Sequence, residues 1–475
     1  MTTSTHRAFW IFLTGILLIS RMAHLNILWA DEDYHLAVAI QTFHGKMLYR
    51  DIWYDKPPLN ALLLTLIGGY PGWPLRLASV AMELAGAAVA FRFASRLWGS
   101  REGYVAAAAF AFFHVFYFAA TVIPVEPDTL MILPHLLAVY WAWSKRPLLA
   151  GLAAGWAFLL NTKGLFVLAA CFLFYPAGWL MLAVGFAAPC AVMGAWLISQ
   201  GAFPAYVDQV WRWGMLYAAN PPPEPFSTPL VRLGNWLAFH SALVLGAAFA
   251  WRRIEDVSLR WKLVGWLGIS LIAATIGWRL PPHYLNQLFP ALVILGSCGL
   301  AALLVRRSWW QVILLAAVVI PIARFTPRYV ELIAEDLRGA AHSWRDVSMD
   351  RESREGAEFL RQIARPNDTI FVWGYRPNVV AYSRLPIAGR MWESQPITMV
   401  PADRHLKLYE PLDAEWAARN QEELLRTKPT IIVDGLSAYN PQLDLQQLPR
   451  LAEWMKRYCK VGSAGRGMTV YRLCQ

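Results

Sequence analysis

The residues best able to do chemistry in this chain stand close together near its start: Asp31-Glu32-Asp33-Tyr34, then Tyr49-Arg50-Asp51, then Lys56-Pro57-Pro58. Charges of both signs at the edge of an apolar segment are costly unless solvated, paired or used, so the cluster nominates a reaction site. A carboxylate there would take the proton from a hydroxyl or amine as that group attacks a carbon centre. An aspartate at its ordinary pKa of about 3.9 is a weak base at neutral pH, so placement must do most of the work. The bland alternative is that Asp31, Glu32 and Asp33 begin a helix, where acids favour the exposed N–H groups and the dipole. Three acids in a row exceed what a cap needs.

The elements that must hold these residues are membrane helices. Of 475 residues, 57% are hydrophobic and only 16% charged, far more apolar than a soluble domain of this length. Apolar segments recur along the first two thirds, for example 8–19, 105–120, 230–250 and 285–305. The expected fold is a polytopic α-helical membrane domain over 1–324, with external loops 31–60 and 201–229. A water-soluble α/β domain over 325–475 follows it. The net charge of +11 would suggest nucleic acid in a soluble protein. Here it resides in alternate connections: Arg7, Arg92/Arg96/Arg101, Lys145/Arg146, Arg252/Arg253/Arg260/Lys262 and Arg306/Arg307. The positive-inside rule assigns these to the cytoplasm and argues against a nucleic-acid partner. About eleven crossings then leave the N-terminus inside, with the acidic loop and the C-terminal domain outside. Arg21, His24 and Asn26 interrupt the segment 8–30, so it reads as an uncleaved first span.

Within the first loop, Leu36, Ile40, Phe43 and Met47 predict one apolar face of a short interfacial helix ended by His44-Gly45. The second loop carries Trp211, Trp213, Tyr217 and the run Asn220-Pro221-Pro222-Pro223-Glu224-Pro225, which suits a headgroup-level belt or a flap. In the C-terminal domain, helices are expected over 354–364, 414–426 and 448–457, with strands over 369–373 and 430–433 and a terminal hairpin. Cys171, Cys190 and Cys298 read as small buried hydrophobes. Cys459 and Cys474 would face each other across a hairpin turning at Arg466 and Gly467, and an extracytoplasmic domain permits a disulfide there. Glu83, His114 and His135 are expected to pair with neighbouring helices. Gly374-Tyr375-Arg376 lacks the spacing of a dinucleotide site.

The order Asp31-Glu32-x-Tyr34, Gly45-x-x-Leu48-Tyr49-Arg50-Asp51 and Lys56-Pro57-Pro58 resembles the first external loop of the C-type (GT-C) integral membrane glycosyltransferases. The likeness is strongest to those related to protein O-mannosyltransferases and aminoarabinose transferases. Three further stretches agree in order: Glu126-Pro127-Asp128, where that family carries a second acidic site; Asn161-Thr162-Lys163-Gly164; and Arg279-Leu280-Pro281-Pro282-His283-Tyr284.

The resemblance implies a polyprenyl-phosphate sugar donor and inverting transfer to an extracytoplasmic glycan, lipid or protein acceptor, in the inner (cytoplasmic) membrane. Asp31 would be the base, with Asp128 and Glu32 as further catalytic residues and Glu126 and Tyr34 in support. Lys56, Lys163, Arg279, His283 and Tyr284 would hold the lipid phosphate, whose growing charge needs fixed cations. Plain readings stand beside these: Lys163 snorkelling to headgroups, His283 in packing, Tyr284 in an aromatic belt, Glu126 and Asp128 solvating a loop. No cofactor is implied with certainty; some GT-C members use a divalent cation, which Asp31 and Asp128 would bridge. The competing class is a transporter or flippase of a lipid-linked glycan. The chain lacks its inverted halves, and the charges cluster at one face.

Overall fold

The computed structural model describes residues 3–305, 309–401, 403, 408–465 and 467–474; Arg306, Arg307 and Arg466 lie outside them. By internal contacts the chain divides into two compact units. The first comprises Met1–Asn26, Gly72–Gly194 and Pro223–Ala340; the second comprises Ile27–Pro71, Ala195–Pro222 and Ala341–Gln475. The loop 31–60 and most of 201–229 thus cluster with the C-terminal segment.

Among the described residues, four helices are long and apolar enough to cross a membrane: Trp73–Trp98, Pro176–Ser199, Val257–Thr275 and Trp310–Arg338. A fifth exists if Ser227–Phe239 and Ser241–Ala250, bent by 78°, form one broken span. This is fewer than the eleven expected. Pro147–Leu160, Gly164–Phe174 and Phe289–Leu303 are apolar but short; at 1.5 Å per residue such helices fall below the roughly 30 Å of hydrocarbon. The first helix, Thr3–Met22, opens with Thr-Ser-Thr-His-Arg and ends near Arg21, which shortens its apolar run.

Small residues let these helices meet backbone to backbone. A Cβ at Gly299 would collide with the Gly246 carbonyl, and one at Gly151 with the Leu182 carbonyl. This is how helices associate where lipid removes the hydrophobic drive. Of the three polar residues expected to pair with neighbouring helices, Glu83 and His135 do so, whereas His114 bonds within its own helix. Glu83 pairs with the fully buried Arg21. His135 Nε2 accepts from Trp266 Nε1 at 2.8 Å, and His114 Nδ1 lies 2.8 Å from its own helix's Phe110 carbonyl.

In the second unit, the helix Glu32–Phe43 ends at His44 as expected, but Met47 lies beyond it and Phe43 is exposed. Every residue from Glu32 to Gln41 is buried. The expected one-sided helix is instead enclosed, because Leu59–Leu66 and the C-terminal segment's Pro377–Ser383 both pack against it. The C-terminal segment is α/β as expected. Strands β1 (Ile370–Trp373), β2 (Ile431–Asp434), β3 (Tyr458–Ala464) and β4 (Met468–Leu473) form one sheet in the order β1-β2-β4-β3. β1 and β2 run parallel, with Ile370 opposite Ile431, and both are buried throughout, which explains their unbroken apolar runs. β3 and β4 form the terminal hairpin, and a Cys459–Cys474 disulfide ties its ends.

That bond closes a span of 15 residues, which stabilises a domain by about 3 kcal/mol. Replacing both cysteines by serine should therefore lower the denaturant midpoint of the C-terminal segment. An unchanged midpoint would mean that the crosslink adds nothing to the hairpin.

Candidate active site

Asp31 precedes the helix Glu32–Phe43 with φ 70° and ψ −46°, a conformation costly for a residue with a Cβ. It makes no side-chain capping bond, so helix capping does not account for it. Asp31 is half-buried, whereas Glu32 and Asp33 are fully buried. Asp33 Oδ1 accepts from the Tyr34 N–H at 2.7 Å. Burial, then the charge of Asp31, pushes the Asp33 carboxyl well above the usual carboxylate range.

Lys56 is brought to this cluster by its own neighbour. Its Nζ lies 2.7 Å from Asp55 Oδ2, which also accepts from Trp213 Nε1 at 3.2 Å. Burial works to lower the Lys56 pKa, but the Asp55 carboxylate, its hydrogen bond, Tyr217 and Asp31 together raise it, so the ammonium stays charged. With 42% of its side chain exposed, Lys56 remains open to an anion. Gln209 fixes the loop, accepting from the Tyr54 N–H and donating to the Tyr49 carbonyl, both at 2.8 Å. Tyr34 stacks on Tyr54 and Trp392, each at 5.6 Å, and its hydroxyl accepts from the Asp55 N–H at 3.3 Å. Arg50 and Asp51 pair with each other at 2.8 Å, and Asp51 accepts from the Met47 N–H, so that part of the opening motif builds a turn. Glu393, enclosed nearby, is raised well above the carboxylate range by burial first, with Asp403 and Asp55 adding to it.

The first unit carries a second cluster, centred on Asp128. The turn Glu126-Pro127-Asp128 opens the helix Pro127–Leu130 as a capping box: Glu126 accepts from the Asp128 N–H, and Thr129 Oγ1 accepts from the Glu126 N–H. Asp128 Oδ1 then receives Lys163 Nζ at 3.2 Å, Asn161 Nδ2 at 3.2 Å and Gln287 Nε2 at 3.1 Å. Lys163 Nζ also sits 3.2 Å from the Tyr284 ring centroid, a cation–π contact. Its side chain is 12% exposed, so its ammonium is turned onto protein groups and does not snorkel outward. His283 packs its ring edge-on to Tyr284 at 4.9 Å. Arg279 is buried, and its carbonyl accepts from Arg232 at 2.7 Å.

Of the residues expected at a site, the first unit thus gathers Glu126, Asp128, Lys163, Tyr284 and His283, with Arg279 in the stretch leading to them. The second gathers Asp31, Glu32, Tyr34 and Lys56. Sequence reasoning missed Asp55, Gln209, Gln287 and Glu393. Two of these left a signal: Asp55 is adjacent to Lys56, and Gln287 lies three residues after Tyr284 on the 3₁₀ helix Pro282–Gln287, where such positions align. As for a divalent cation, no group of three or more His, Cys, Asp or Glu converges among the described residues. Asp128 Oδ1 is already met by an ammonium and two amides. This donor set does not fit a metal at Asp128.

Residues 55–202 match the family model described as dolichyl-phosphate-mannose-protein mannosyltransferase. The structure superposes on ArnT from Cupriavidus metallidurans bound to undecaprenyl phosphate with a TM-score of 0.62 and 13% identity, covering 99% of this chain and 98% of that one. The chain has the same fold as ArnT over nearly its whole length. The Archaeoglobus fulgidus oligosaccharyltransferase shares it at a TM-score of 0.51 and 12% identity, over 100% of this chain and 75% of that one. So does the mycobacterial arabinofuranosyltransferase AftD, at 0.50 and 14%, over 99% and 40%. No curated protein matches the sequence.

The raised Asp33 and Glu393 carboxyls bind protons more tightly folded than unfolded. Their contribution is therefore greatest below the unfolded value of about 4 and is lost as pH rises towards the folded values. Asp33→Asn and Glu393→Gln should flatten the fall in melting temperature between pH 5 and pH 8. A fall as steep as in the parent chain would show that these groups are ionised in the fold.

Proposed function

We propose that this protein is a polyprenyl-phosphate-sugar-dependent glycosyltransferase acting on the extracytoplasmic side of the membrane. The observation that carries the reading is the likeness over nearly the whole of both chains to ArnT, a structure that holds undecaprenyl phosphate. The match of residues 55–202 to a mannosyltransferase family favours transfer over lipid transport. In the proposed topology the N-terminus is cytoplasmic, about eleven crossings follow, and both the acidic loop and the C-terminal segment are outside.

The acceptor's hydroxyl or amine attacks the anomeric carbon from the face opposite the lipid phosphate. The new C–O or C–N bond forms as the C1–O(phosphate) bond breaks. The acceptor's proton passes to Asp31, and the bonding pair leaves with the phosphate. A single displacement inverts the anomeric centre. Asp31 suits the base because it alone of the three acids is half-exposed and unspent on capping. The leaving phosphate gains negative charge, which Lys56 and Lys163 would offset as point charges, with Arg279, His283 and Tyr284 as further contacts. Asp128 keeps Lys163 charged and oriented until the phosphate arrives, and Glu126 fixes the turn that bears Asp128.

Asp31→Asn should cut transfer of a radiolabelled sugar from polyprenyl phosphate to a membrane lipid extract by roughly 100-fold or more, as expected on removing a general base. Polyprenyl phosphate binding should be preserved, and near-normal turnover would remove Asp31 from that role. Lys163→Gln retains a donor for Asp128 but no charge, and should weaken polyprenyl phosphate binding by about 10-fold or more, the worth of a charge-assisted hydrogen bond. Unchanged binding would confine Lys163 to its pairing with Asp128.

A further inference from the structure

The chain turns sharply where β1 ends. Gly374 holds φ 110°, and a Cβ there would lie 3.1 Å from Leu436 Cβ and 3.2 Å from the Gly435 carbonyl carbon. The ends of the two parallel strands approach too closely for a side chain. Two residues on, Arg376 is fully buried, with Nη2 2.8 Å from Glu352 Oε2 and Nη1 3.3 Å from Ser353 Oγ, while its N–H bonds the Gly374 carbonyl at 2.9 Å. Tyr375 is thus held between two fixed points.

Its ring packs on Tyr34 with centroids 5.7 Å apart, and Tyr34 lies in the first turn of the helix that Asp31 begins. Tyr34 and Tyr54 are buried and their hydroxyls engaged. Tyr375 is only half-buried, and its hydroxyl makes no hydrogen bond among the described residues. Burial, followed by the charges of Asp31, Asp33 and Asp55, lifts the phenol well above its ordinary value, so it remains a proton donor. The ring contact thus sets this hydroxyl in the neighbourhood of Asp31, three residues before Tyr34. A hydroxyl donor together with a half-exposed carboxylate is a pair that a neutral alcohol or amine fits, giving a hydrogen to one group and accepting one from the other.

We infer that Tyr375 is an acceptor-binding residue: its hydroxyl donates to the acceptor and turns the nucleophile towards Asp31. The C-terminal segment then takes part in substrate recognition and is not merely a cover. The inference rests on the transferase reading. It is tested with the purified full-length protein, a radiolabelled polyprenyl-phosphate sugar and a membrane lipid extract, each varied in turn. Tyr375→Phe keeps the ring on Tyr34 and should raise the apparent KM for the extract by about 10-fold, the worth of one hydrogen bond, with the donor KM moving less than about twofold. Tyr375→Leu carries the same prediction should the Phe variant not fold. Unchanged KM values, or equal shifts in both, would overturn the inference and leave the transferase reading intact. A parent chain that transfers no sugar to any extract would overturn both.

Discussion

A charge taken out of water must be met by an opposite charge or by enough hydrogen bonds, and the site's architecture follows from that requirement. Asp128 is the plainest case. It is 4% exposed, and the donors that make this tolerable come from two separate places: the Asn161-Thr162-Lys163 turn and the 3₁₀ helix bearing Tyr284 and Gln287. Without the turn that bears Asn161 and Lys163, Asp128 would keep, among the described residues, only the Gln287 amide and lose its one cation. Asp55 meets the same demand in the second unit with Lys56 and Trp213. Asp33 has no cation partner among the described residues and is held by the Tyr34 amide; burial and then the charge of Asp31 push its carboxyl above the usual range.

The acid turn also needs a firm base, because the chain leading into it is irregular. Between the helices Ser100–Val115 and Pro127–Leu130, carbonyls that would be orphaned are taken up by side chains. Arg21 donates to His114 and Val122, Tyr329 to Val115, Arg328 to Tyr117 and Asn286 to Thr121. Three distant parts of the first unit therefore clamp the stretch that delivers Glu126 and Asp128. The buried Arg21–Glu83 pair serves the same end, since the guanidinium that meets Glu83 also holds two of those carbonyls.

What could be read from residues alone is what depends on near neighbours in the chain. The runs Ile370-Phe371-Val372-Trp373 and Ile431-Ile432-Val433 announce buried strands, and the acids at 31–33 announce the start of a helix. The four motif stretches identify the fold through their order. The enclosure of that helix was not legible, because Pro377–Ser383 comes from more than 330 positions away. Nor were the Trp213–Asp55 and Gln287–Asp128 bonds, separated by 158 and 159 positions. Tyr375 stands in a stretch without the spacing of any nucleotide motif, and its ring contact with Tyr34 joins distant parts of the chain, so nothing local in the sequence announces it. Fewer long helices than expected spans are seen because hydropathy registers apolar stretches without registering where Pro and Gly divide them, as at Pro147, Gly164 and Pro290.

The central claim is a single displacement in which one carboxylate accepts a proton and a lipid phosphate departs. It is tested most directly by the anomeric configuration of the product made from a polyprenyl-phosphate sugar of known configuration, read by NMR coupling constants. Inversion is the predicted result. Retention would require a covalent sugar–protein intermediate and would contradict the role given to Asp31.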